Sequence, residues 1–62
     1  MDDRTRMLMK LYQGLWISAN FECDLEIEFP SQFKALKRNE NQMSNNDLSA
    51  MCTFLNEHPV FN

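Results

Sequence analysis

From Phe21 to Phe29 the chain reads Phe-Glu-Cys-Asp-Leu-Glu-Ile-Glu-Phe, with every odd position apolar and every even position acidic. A period of two is the repeat of a β-strand, whose successive side chains leave opposite faces. The run is therefore expected as one strand with an oily face (Phe21, Cys23, Leu25, Ile27, Phe29) and an anionic face (Glu22, Asp24, Glu26, Glu28). It also sets the charge balance. Nine acids and six bases give the chain a net charge of −3; without these four carboxylates, five acids face six bases. Acidity gathered on one face makes a local field that draws basic surfaces and repels phosphate. The plain alternative is a solvated outer face.

On either side of this run the apolar spacing changes to that of a helix. Met7, Leu8, Leu11, Tyr12, Leu15, Trp16 and Ala19 recur as pairs every four residues, which predicts an amphipathic helix of about four to five turns. Asp2 and Asp3 lie where the helix dipole favours negative charge. Gly14, inside this helix, lowers its intrinsic stability by about 1 kcal/mol relative to Ala and suits a point of close packing. Met9 and Ile17 fall off the main stripe, as contacts to a second chain or as part of a wholly buried helix.

Pro30 stops ladder pairing and is well placed to begin a helix. With Phe33, Ala35 and Leu36 on one side and Lys34, Lys37 and Arg38 on the other, a helix from about Pro30 to Asn39 is expected. The rival is a hairpin strand that sets Lys34 and Arg38 across from Glu28 and Asp24. A tight hairpin turn favours glycine, and this stretch has none. Residues 39–43 are polar and read as a loop. Ser44, followed three residues later by Asp47, has the spacing of a capping box. Leu48, Met51, Cys52 and Leu55 then keep helical spacing until Pro59 ends the helix near His58. Val60 and Phe61 form an apolar tail able to fold back on the core.

Sixty-two residues make a single domain, 1–62, which buries only about 60% of its unfolded surface. Such domains lean on disulfides, metals or self-association. Cys23 and Cys52 each fall in phase with apolar neighbours and read as small buried hydrophobes. These two cysteines and the single His58 match no zinc spacing, so no metal or other cofactor is expected. The early acids and the interruptions at Lys10, Gln13 and Gly14 fit neither a signal peptide nor a membrane span. Two thiols without a leader suggest a reducing, cytoplasmic setting.

The expected class is thus α+β: a helix-strand-helix-helix domain with one strand. A lone strand leaves backbone donors and acceptors open, and the simplest partner is the same strand of another copy. The expected homodimer interface is Phe21, Leu25, Ile27 and Phe29, with Met9 and Ile17 from the first helix. From Leu25 to His58 the layout resembles the ribbon-helix-helix fold of small repressors. Leu25-Glu26-Ile27-Glu28-Phe29-Pro30 and Ser44-Asn45-Asn46-Asp47-Leu48 carry that resemblance. It implies that the outward strand residues meet DNA, yet here they are acids, and DNA affinity depends on neutralising phosphate with Lys and Arg. The acidic face instead suits a basic protein surface, with mimicry of DNA toward a DNA-binding protein as the sharper form.

Three functions are therefore carried forward. The first is a small non-enzymatic regulator or inhibitor that binds a basic partner through Glu22, Asp24, Glu26 and Glu28. The second is a DNA-binding regulator acting through Lys34, Lys37 and Arg38. The third is an assembly module. One His, no phosphate-cradling loop and no nucleophile-base grouping give catalysis nothing to work with.

Overall fold

The computed structural model describes all residues from Met1 to Asn62 and contains no strand. Four helices, α1 (Asp3–Ile17), α2 (Ala19–Glu28), α3 (Pro30–Arg38) and α4 (Asn45–Glu57), are joined by short links and one 3-10 turn (Glu40–Gln42). The expected α+β class is corrected to all-α. The expected strand is helix α2, and no strand exists to pair across a homodimer. The Leu25–Pro30 segment that carried the ribbon-helix-helix resemblance is the end of α2 and the first residue of α3.

The reason lies in the spacing itself. In a strict two-residue alternation, positions 21, 25 and 29 are four apart, and so are 23 and 27. At 3.6 residues per turn, residues four apart lie about 40° from each other, so the same letters also write two apolar ridges on a helix. Local propensity then decides between the two forms. Ala19–Glu28 holds Ala, Leu and three Glu, which favour helix, and only one β-branched residue, Ile27. The two ridges have different fates. Phe21 and Leu25 are fully buried and Phe29 is half-buried, whereas Cys23 and Ile27 face solvent.

Ser18 makes the α1–α2 corner in one residue. Its backbone N–H donates to Gly14 at the end of α1, and its side-chain oxygen accepts from Phe21 N at 3.1 Å as the N-cap of α2. Pro30 ends α2 and supplies the first residue of α3, as expected. Ser44 accepts from Asp47 N at 3.0 Å and caps α4 as expected. At the other end of the chain, Asp2 accepts from Thr5 N at 2.7 Å and caps α1. These bonds to Thr5 hold the Asp2 carboxyl below its ordinary range.

Helices α1 and α4 share the largest helix-helix contact, with α2 packed beside both and α3 against α2. Ten residues form the core: Leu11, Phe21, Leu25, Phe33, Leu36, Met43, Leu48, Met51, Cys52 and Leu55. Gly14 sits where α1 meets α4 and α2. A Cβ there would collide with Leu55 Cδ1 and come within 3.2 Å of the Phe21 ring, which is why a helix interior carries glycine. The 3-10 turn is tied to the bundle by Arg4, whose guanidinium donates to Glu40 O at 2.6 Å and to Asn45 Oδ1 at 2.8 Å. Tyr12 adds a hydrogen bond from its hydroxyl to the Glu40 carboxylate. No buried side-chain nitrogen or oxygen lacks a partner.

Candidate functional site

Winding the acidic run into a helix splits it. On α2, Glu22 and Glu26 lie four apart on one flank of the buried ridge, and Asp24 and Glu28 lie four apart on the other. Glu22 is half-buried, and the other three acids are exposed. The expected single row of four carboxylates does not exist. Glu26 belongs to a groove of about 440 Å³ against α3, where it stands with Lys34 and Arg38. Asp24 and Glu28 belong to a groove of about 400 Å³ between α2 and the C-terminal end of α4, where a third carboxylate, Glu57, joins them.

This second groove combines charge with apolar surface. Ile27, Phe54, His58 and Pro59 complete its lining, and no Lys or Arg does. Ile27 is 77% exposed, a large aliphatic group that the fold leaves in water. Phe54 continues into an aromatic cluster beneath: its ring lies 6.0 Å from Phe21 and 5.7 Å from Phe29. The Phe61 ring closes over Phe21 edge-on at 5.6 Å, so the tail does fold back on the core.

His58 anchors one wall of the groove and is only 6% exposed. Its Nδ1 accepts from Val60 N at 3.2 Å, which places the ring proton on Nε2, and Nε2 donates to Asp24 Oδ2 at 2.6 Å. The ring stands edge-on to Phe21 at 5.5 Å. His58 therefore locks the end of α4 onto α2 and holds Asp24 in place. That contact forms the chain's one ion-pair geometry, so Glu22, Glu26, Glu28 and Glu57 have no cationic partner. Glu57 and His58 were not among the expected site residues. The sequence offers only Pro59, which fixes where α4 ends, and nothing that brings position 58 to position 24.

The remaining expected residues scatter. Lys37 Nζ lies over the Phe33 ring at 4.9 Å, on a different part of α3 from the groove that Lys34 and Arg38 line. Cys23 is exposed on the outer ridge of α2, a correction to its expected burial. Cys52 is buried as expected; its Sγ lies 3.5 Å from Met7 O, and burial pushes its thiol up. Of the six expected dimer contacts, Phe21 and Leu25 are spent in the chain's own core and Phe29 packs half-buried against it, while Met9 and Ile17 are exposed together with Ile27. No group of three or more His, Cys, Asp or Glu side chains is arranged to hold a metal ion. No helix is long and apolar enough to cross a membrane. No protein-family model, curated protein or solved structure matches the chain.

Proposed function

We propose that this protein is a non-enzymatic binding module whose α2–α4 groove takes a basic surface of a protein partner. The observation that carries this reading is the pairing of Glu28 and Glu57, both without cations, with Ile27 left exposed between helices. Lys and Arg side chains match that combination, because their methylene stems lie along apolar surface while the charged head reaches a carboxylate. Asp24 contributes less attraction, since it is already bound to His58. The field of unpaired carboxylates also speeds encounter with a cationic partner and lends the binding a salt dependence.

A fluorescent peptide of alternating lysine and leucine tests the reading. The double variant Glu28→Gln and Glu57→Gln removes two exposed charges and keeps their size. Exposed ion pairs are worth about 0.2–1 kcal/mol each, so affinity should fall about 2- to 30-fold at low salt, with the difference closing as salt rises. Undiminished peptide binding by the double variant removes the groove from consideration. Duplex DNA serves as the contrasting probe: retention of DNA through Lys34, Lys37 and Arg38, with no peptide binding, replaces this reading with the nucleic-acid one.

A further inference from the structure

The outward side of α1 is left without a partner in the fold. Arg6, Met9, Lys10, Gln13, Trp16 and Ile17 follow i, i+3, i+4, i+7, i+10, i+11 and so share one helix face. All six are exposed, Trp16 by 93%, Ile17 by 66% and Met9 by 54%. An indole held almost wholly in water beside two aliphatic side chains is the composition of an interface centre, where Trp supplies apolar area at low conformational cost. Arg6 and Lys10 give this face its cations, and Asp3 stands one turn before Arg6 at its N-terminal edge. From Arg4 to Phe21 the chain has three bases and no acid.

An apolar face edged with Arg6 and Lys10 is the complement of a groove edged with Glu28 and Glu57 around Ile27. Both surfaces are on the same molecule and have no residue in common. We infer that the partner surface taken up by the α2–α4 groove is the outward face of α1 from a second copy of this chain. This inference rests on the groove reading above and identifies its occupant. Pairing α1 with α1 brings Arg6 and Lys10 no carboxylate from residues 4–21 of the other copy, whereas pairing α1 with the groove sets them toward Glu28 and Glu57. Each copy has one donor face and one acceptor groove, so two copies either satisfy both surfaces reciprocally in a closed dimer or associate head to tail into a ring or an open array. The chain thereby acts as an assembly module.

Trp16 is the only tryptophan and reports the event directly. In the wild type, raising the concentration from micromolar to millimolar should move its emission to shorter wavelength while sedimentation shows mass rising to the dimer or beyond; high salt should reverse both. Two variants divide the interface. Glu28→Lys with Glu57→Lys reverses the groove, and Met9→Gln with Ile17→Gln removes the α1 anchors without changing charge. Both alter exposed positions only, and circular dichroism checks that the helices remain. Each should raise the midpoint of association at least about tenfold. Mixed together they should form a 1:1 dimer that goes no further, because one intact α1 face meets one intact groove.

Four results overturn the inference: self-association of the groove variant at wild-type strength, which marks α1–α1 pairing; failure of the mixture to dimerise; a wild type that stays monomeric with unshifted emission at millimolar concentration; and a Trp16 shift produced by anionic phosphatidylserine vesicles but not by concentration. The lysine-leucine peptide, assayed at submicromolar protein, keeps the two readings apart. Peptide binding without self-association leaves the groove standing and removes only its assignment to α1; loss of both removes both.

Discussion

Leu25→Ala and Ile27→Ala make a pair that a strand and a helix treat differently. On a strand the two side chains share one face and their truncations should weigh alike. On α2 they lie about 160° apart: Leu25 is fully buried and Ile27 is 77% exposed. Truncating Leu25 removes three carbons, about 2.4 kcal/mol of transfer free energy at about 0.8 kcal/mol for each, and adds the cavity left behind. A loss of about 3–4 kcal/mol is expected. A domain of this length has a total stability of about 3–9 kcal/mol, so Leu25→Ala should remove from about a third of it to all of it. Ile27→Ala gives up almost no buried surface and exchanges a β-branched residue for the best helix former, so stability should stay level or rise by a few tenths of a kcal/mol. Urea titration followed by circular dichroism at 222 nm reads both, and avoids relying on Trp16, which is already in water. Equal losses, or a loss above about 1 kcal/mol for Ile27→Ala, would refute the placement of α2.

Thiol labelling without denaturant should modify Cys23 quickly and Cys52 only on the timescale of unfolding, because one is exposed and the other is buried with its thiolate form disfavoured; equal rates would contradict the two environments. Ser18→Ala should destabilise the protein by about 1 kcal/mol, measured by the same urea titration, since it removes the buried N-cap of α2; Ser18→Gly should recover most of that, and a neutral Ser18→Ala would show that the cap is not needed. Partial burial and the Glu40 carboxylate push Tyr12 up to about 12 from its ordinary 10. The folded state therefore keeps a proton that the unfolded state has lost, so this contribution is intact below pH 10 and is lost as pH rises from 10 through 12. Tyr12→Phe should flatten that part of the stability curve, and an unchanged slope would remove the Tyr12–Glu40 bond as its source.

Three of the four helices were legible in the sequence, α1 and α4 because their apolar spacing fits only one period, and α3 because Pro30 marks its start and no glycine offers the rival hairpin a turn. Leu48, Met51, Cys52 and Leu55 cannot be written as an alternation, and Ser44 and Pro59 mark both ends of α4. Pro30 likewise opens α3 where its missing N–H costs nothing. The segment 21–29 differs because it satisfies both periods at once. Its odd positions are apolar at spacings of two and of four, so periodicity alone cannot choose. The deciding signals were composition and the cap at Ser18, which binds Phe21 N, and neither depends on period. Once the run is helical, its even positions no longer share a face, and that changes the candidate site more than the fold. They part into Glu22 with Glu26 and Asp24 with Glu28, and the carboxylate that joins the second pair, Glu57, comes from a residue about thirty positions away. Such a meeting is a property of how α4 packs on α2. It is held by His58 through Asp24 at 2.6 Å and by the aromatic rings beneath, so no local pattern around 24, 28 or 57 encodes it. The face of α1 stands at the opposite extreme. Met9 and Ile17 were visible as residues off the main stripe, open to either burial or exposure, and the packing of α1 on one side only leaves them exposed. What sequence could not supply was the groove to which this basic, apolar face is complementary, because that groove exists only after the alternating run has been wound into a helix.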